Sequence, residues 1–201
     1  MRIGIDFDNT IACYDGVFHQ AALEKGLIPA GLGSSKNAVR DHLNGSGRKD
    51  EFTALQGYVY GARMDLVAPY PGIVAFVDAA RAAGHDLFIV SHKTRTPMMG
   101  PAYDMHEAAR GFLAAQALSG PARVPHENIF FELTKEAKVA RAGTLGCDVF
   151  IDDLPEILAM PGFAPATRLV LFDPDANPQF ASLPHERHGD WTAVRHAILG
   201  A

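Results

Sequence analysis

Ile3-Gly4-Ile5-Asp6-Phe7-Asp8-Asn9-Thr10 carries an apolar stretch straight into two carboxylates spaced i, i+2. On a β-strand alternate side chains share a face, so Asp6 and Asp8 point the same way while Phe7 turns into the core. Two acids on a short strand are costly unless a cation or a reaction needs them. A second pair, Asp152-Asp153, ends another apolar run, Val149-Phe150-Ile151. If the two runs are neighbouring parallel strands, their acids converge at one sheet edge. That set suits a divalent metal site with a nucleophile and an acid built into it.

From residue 70 onward the chain alternates strand and helix signals. Pro71 and Gly72 open an amphipathic helix over 73–83, with Ile73, Phe76, Val77 and Ala80 at helical spacing and Gly84 as its stop. Residues 86–90 form a continuous apolar strand ending at Ser91. A helix is expected over 104–118, a short strand over 129–131 and a helix over 134–145. A buried strand follows over 148–151, Pro155 opens a short helix, 168–172 is a further strand, and Asp190 caps a closing helix over 191–199. Near-continuous apolar strands alternating with helices mean a parallel sheet covered on both faces, a doubly wound, Rossmann-like α/β fold. Such sheets bind ligands beyond the carboxyl ends of their strands. Asp6 and Asp8, Ser91, the segment 134–138 and Asp152-Asp153 each follow a strand, so four separate segments bring polar groups to that edge.

Residues 12–69 break the rhythm. They hold helical patterns over 17–25 and 50–60, a flexible stretch over 44–49 and no strand series. The division expected is an α/β core of 1–11 and 70–201 with a small, mainly helical insertion, 12–69, placed to act as a lid above the carboxyl edge.

The 201 residues have the composition of a globular protein, 48% hydrophobic and 20% charged. A net charge of −5 argues against a nucleic-acid or anionic-membrane binder. The two cysteines, Cys13 and Cys147, are too few for a disulfide scaffold and fit no zinc spacing. No signal peptide precedes Asp6, no run approaches the ~20 apolar residues of a membrane helix, and the sequon at Asn44 reads as chance. A cytoplasmic location is expected; the oligomeric state is not legible.

These motifs, in this order, resemble the haloacid dehalogenase (HAD) superfamily. Residues 3–10 are similar to its first motif, hhhhDxDxT. Ser91 at the end of Leu87-Phe88-Ile89-Val90 matches its second, a lysine near a helix start its third, and Asp152-Asp153 its fourth acidic pair. An insertion between the first two motifs is where that superfamily carries its cap. The resemblance implies a phosphatase in which Asp6 attacks phosphorus to form an aspartyl-phosphate, and Asp8 protonates the leaving oxygen and then activates water. It implies Mg²⁺ held by Asp6, the Asp8 backbone carbonyl and the pair Asp152/Asp153, with Asp153 favoured as the direct ligand. Ser91 and a lysine would hold the phosphoryl oxygens. Lys138, with an apolar helix over 139–145 between it and the acidic pair, fits that lysine best, and Lys135 is the alternative.

His92, Lys93 and Arg63 are candidate substrate contacts. Arg48 and Lys49 could meet an anionic tail and Tyr58 and Tyr60 a ring, although packing or surface roles suit these four better. The segment 31–36 resembles a phosphate loop but lacks its third glycine and a preceding strand. No histidine pair has ligand character, and His185 and His188 sit in a Pro-bounded loop. The leading expectation is a Mg²⁺-dependent phosphatase of a small phosphorylated metabolite, such as a sugar phosphate or nucleotide, because the insertion restricts entry. Alternatives are a phosphomutase or other phosphotransferase of the same superfamily, disfavoured by Asn9-Thr10 where mutases carry Gly-Val, and, from another class, a phosphoacceptor signalling domain or a non-catalytic scaffold.

Overall fold

The structure, a computed structural model, describes residues 1–200. In chain order its strands are β1 (Arg2–Ile5), β2 (Ala12–Cys13), β3 (Ala68–Pro69), β4 (Asp86–His92), β5 (Ile129–Glu132), β6 (Val149–Asp152), β7 (Arg168–Phe172) and β8 (Glu186–His188). The helices are α1 (Val17–Glu24), α2 (Lys36–Gly45), α3 (Lys49–Ala62), α4 (Ile73–Ala82), α5 (Met105–Ala115), α6 (Lys135–Thr144), α7 (Pro155–Leu158) and α8 (Trp191–Leu199).

Among the described residues the chain divides into two compact units, one of 1–12, 69–93 and 116–200, the other of 13–68 with 94–115. The first unit is built on a six-stranded sheet in the order β5-β4-β1-β6-β7-β8. Every pairing in it is parallel. The chain fills the sheet from β1 outward through β4 to β5, then crosses to the other side of β1 for β6, β7 and β8. This reversal makes β1 the topological switch point, where parallel sheets open a crevice beyond their carboxyl ends.

The alternation of side chains along the strands assigns the two faces. Phe88, Val90, Phe150 and Leu171 pack with Val139 and Ala142 of α6 and Ile157 and Leu158 of α7 in one buried cluster. On the other side Trp191 of α8 is fully buried against Phe76 of α4 and Phe172 of β7, with ring centroids 4.9 and 5.4 Å away. Gly4 lies opposite Phe88 and Phe150 in register. A Cβ there would come within 2.6 Å of the Phe150 ring, so the centre of the sheet requires glycine.

The second unit contains α1, α2, α3 and α5. It is larger than an insertion after β1 alone, because 94–115 joins it. The loop before α5 lies close on α3: a Cβ at Gly57 would stand 2.5 Å from Pro97. Within this unit is a cavity of about 260 Å³ lined by Lys25, Leu27, Leu55, Tyr58, Pro101 and Tyr103 among others. Among the described residues no helix is long and apolar enough to cross a membrane.

Candidate active site

β1 ends at Ile5, one residue short of the acids. Asp6 extends the ladder by a single bond, its amide donating to the Ile151 carbonyl at 2.9 Å. The chain then turns. The amides of Ile11 and Ala12 both donate to the Phe7 carbonyl, at 3.0 and 2.9 Å, and Asn9 adopts a left-handed φ of 55°. The strand alternation expected to align Asp6 with Asp8 therefore stops before Asp8, which projects from a tight turn instead. Two anchors hold that turn. Phe7 is fully buried, and the Trp191 indole N–H donates to the Thr10 carbonyl at 3.0 Å.

Carried one step past the strand, the register that sets Gly4 beside Phe150 sets Asp6 beside Asp152, on the face that α6 covers. Helix α6 begins after Thr134, whose hydroxyl accepts from the Ala137 amide at 3.1 Å. One turn in, Lys138 reaches the acids: its Nζ lies 2.5 Å from Asp6 Oδ1 and 2.6 Å from Asp152 Oδ2. All three side chains are buried. Lys135, at the start of the same helix, is at the surface beside Glu156 at 3.3 Å. Of the two candidate lysines, the structure brings only Lys138 to the carboxylates.

Asp6, Asp152 and Asp153 each place a carboxylate oxygen within 4.8 Å of the others. Three carboxylates against one ammonium leave this cluster short of positive charge. The consequence appears in its acids. Burial pushes the Asp152 carboxyl up to about 7 against the pull of Lys138, with the Asp6 charge adding to the rise. Burial and the charges of Asp6 and Asp152 likewise hold Asp153 well above the usual carboxylate range. Burial works to lower the Lys138 ammonium, but Asp6 and Asp152 outweigh it and hold it above an ordinary lysine. An all-oxygen donor set with excess negative charge fits a hard divalent cation such as Mg²⁺. Within the pair, Asp152 is engaged at both oxygens, by Lys138 and by the Leu154 amide at 3.0 Å, whereas Asp153 is partly exposed beside it.

Asp8 belongs to a separate pair. Lys93 Nζ donates to Asp8 Oδ1 at 3.0 Å and Oδ2 at 2.8 Å. Lys93 follows β4, is buried, and is fixed by its amide, which donates to the Glu132 carbonyl at 2.8 Å. Sequence reasoning named Lys93 only as a substrate contact. The available signal was its position two residues beyond Ser91, the next place of the same parity after the strand. Ser91 is buried on β4, opposite Phe131 of β5, and His92 is partly exposed.

The remaining candidates are engaged elsewhere. Arg63 is in the second unit, bound to Glu24 and Asp65. Arg48 pairs with Glu51 at 2.6 Å, Tyr58 lies 4.0 Å beneath the Lys25 ammonium, and the Tyr60 hydroxyl accepts from Lys36 at 2.8 Å. The segment 31–36 leads into α2, where Ser35 accepts from the Ala38 amide as an ordinary cap. Neither Cys13 nor Cys147 is in a disulfide, and burial pushes the Cys147 thiol up to about 11.

No family model and no curated protein matches the sequence. Solved structures do match the fold. A HAD family hydrolase from Deinococcus radiodurans, with bound phosphate and sodium, superposes with a TM-score of 0.60 at 19% identity, covering 99% of this chain and 95% of that one. A predicted phosphoglycolate phosphatase from Haemophilus somnus gives 0.55 at 14% identity, over 96% and 95% of the two chains. A putative HAD hydrolase from Bacillus subtilis, bound to magnesium, gives 0.52 at 12% identity, over 98% and 97%. The chain thus has the fold of the HAD-superfamily hydrolases over nearly its full length.

Proposed function

We propose that this chain is a Mg²⁺-dependent phosphomonoesterase acting on a small phosphorylated metabolite through an aspartyl-phosphate on Asp6. One observation carries the reading. A buried lysine bridges Asp6 and Asp152 at the carboxyl edge of β1 and β6, with Asp153 beside them. A purely structural ion pair needs one acid for one base; here three carboxylates crowd one ammonium, an arrangement that a cation and a phosphoryl group would use. The substrate class, a sugar phosphate or nucleotide, rests on the segment 12–69 inserted after the first motif.

In the first half-reaction an Asp6 oxygen attacks phosphorus, and the bond from phosphorus to the ester oxygen breaks. The leaving oxygen keeps the electron pair and takes a proton from Asp8. In the second, Asp8 takes a proton from the water that attacks phosphorus, the bond to Asp6 breaks, and inorganic phosphate leaves with both acids restored. Lys138 balances charge at the nucleophile, and Ser91 donates to a phosphoryl oxygen. Held by Asp6, Asp153 and the Asp8 carbonyl, Mg²⁺ would supply Lewis-acid neutralisation of the phosphoryl oxygens.

The test is turnover of p-nitrophenyl phosphate with added Mg²⁺. Steady release of nitrophenol, stopped by EDTA and abolished in Asp6→Asn while that variant still unfolds cooperatively and keeps the parent circular dichroism, is expected. A labile phosphoryl group that accumulates without turnover would instead mark a phosphoacceptor domain, and no reaction of either kind a scaffold. Turnover by Asp6→Asn comparable to that of the parent chain refutes the nucleophile assignment.

A further inference from the structure

We infer that Lys93 is a positioning residue that holds Asp8 for the water-activating half of the reaction. The inference rests on the phosphomonoesterase reading above and adds to it a residue with a step-specific role.

Two lysines divide the acids between them. Lys138 serves Asp6 and Asp152, while Lys93 serves Asp8. The cluster of carboxylates close enough to share a cation consists of Asp6, Asp152 and Asp153, without Asp8. Asp8 is thus held to one side of the cluster by its own base. The pairing is two-pronged. One ammonium donates to both carboxylate oxygens, at 3.0 and 2.8 Å, which fixes the direction of the group and the plane it lies in. The Lys93 side chain is only 3% exposed, against 22% for Asp8. A buried ammonium is tolerated where it is paired, so Lys93 is committed to this contact, while Asp8 keeps an open side.

The anchoring continues behind the lysine. Its amide is tied to Glu132 at the end of β5, and its Nζ lies 5.4 Å from the centre of the buried Phe7 ring. The clamp is therefore built from three places: the turn that carries Asp8, the end of β4 and the end of β5. An ionised carboxylate has about four acceptor positions. Lys93 takes two of them, and the 22% exposure of the Asp8 side chain puts part of the carboxylate within reach of water. A carboxylate fixed by a two-pronged contact and partly exposed to solvent is arranged as an acceptor, which is what the second half-reaction requires.

The test separates the two halves. With p-nitrophenyl phosphate the leaving group departs without a proton, so the step that still depends on Asp8 is attack by water. The variants are Lys93→Met, which keeps the length and apolar stem, and Lys93→Gln, which keeps one donor and carries the test if Lys93→Met does not fold. We expect kcat to fall about tenfold to hundredfold. We expect kcat/KM to change far less, and rapid mixing to show a burst of about one nitrophenol per chain as phosphoenzyme accumulates. Lys93→Gln should fall between the parent and Lys93→Met. A proportionate loss of kcat and kcat/KM without a burst, or no loss of either, overturns the positioning role while leaving the phosphatase reading in place. A parent chain that neither turns over nor becomes phosphorylated overturns the phosphatase reading, and this inference with it.

Discussion

Lys135 and Lys138 are three residues apart on α6, yet they occupy opposite environments. Lys138 is 2% exposed between two buried carboxylates, while Lys135 shares the surface with Glu156. Breaking a buried pair by removing one partner strands the other charge and costs about 3–5 kcal/mol, whereas an exposed pair contributes about 0–1 kcal/mol. Lys138→Met should therefore lower the urea midpoint substantially in metal-free buffer, and Lys135→Met should leave it nearly where it was. The same pair of curves with Mg²⁺ present should show Lys138→Met partly recovered, because a cation can replace some of the missing positive charge. Equal effects of the two substitutions would contradict the geometry of the site.

At the scale of elements, α6 is what delivers Lys138, and its start is set by Thr134. The Thr134 hydroxyl satisfies the Ala137 amide, so Thr134→Ala should cost about 1 kcal/mol, measured by chemical denaturation. A loss indistinguishable from zero would mean that packing of Val139 and Ala142 alone positions the helix. Five of the six strands of the central sheet were legible because they are apolar runs, and α8 because Asp190 caps a hydrophobic stripe. Three features were not. Strand β8, Glu186–His188, is polar and lies at the sheet edge, held by Arg168 against Glu186 at 2.6 Å, so no apolar alternation announces it. Helix α2 buries only Val39 and Leu43, too narrow a stripe to stand out beside Gly45 and Gly47. The grouping of α5 with 13–68 depends on where a helix docks, and a helical period does not state its partner. The site shows the same limit. The DxD spacing and the late acidic pair are written locally, whereas the Lys93–Asp8 clamp joins residues 85 apart in sequence.

At the scale of the whole molecule, the carboxylate cluster links folding to pH and, on the proposed function, to a cation. Asp152, at about 7, and Asp153 are both raised by burial above the ~3.9 of an unfolded aspartate. A raised carboxyl means that the folded state binds the proton more tightly than the unfolded chain does. The stability it contributes is complete below about pH 4 and is lost as pH rises through about 7. A cation and protons compete for the same oxygens, so Mg²⁺ should relieve the strain where the protons have gone. The rise in Tm on adding Mg²⁺, read against EDTA, should be small at pH 5 and larger at pH 8. In Asp153→Asn, with one carboxylate fewer, the rise should shrink at pH 8 and the EDTA Tm should increase, since a mutual repulsion has been removed. A Mg²⁺ response that is flat with pH, or greater at pH 5, would show that the cation binds somewhere other than these acids.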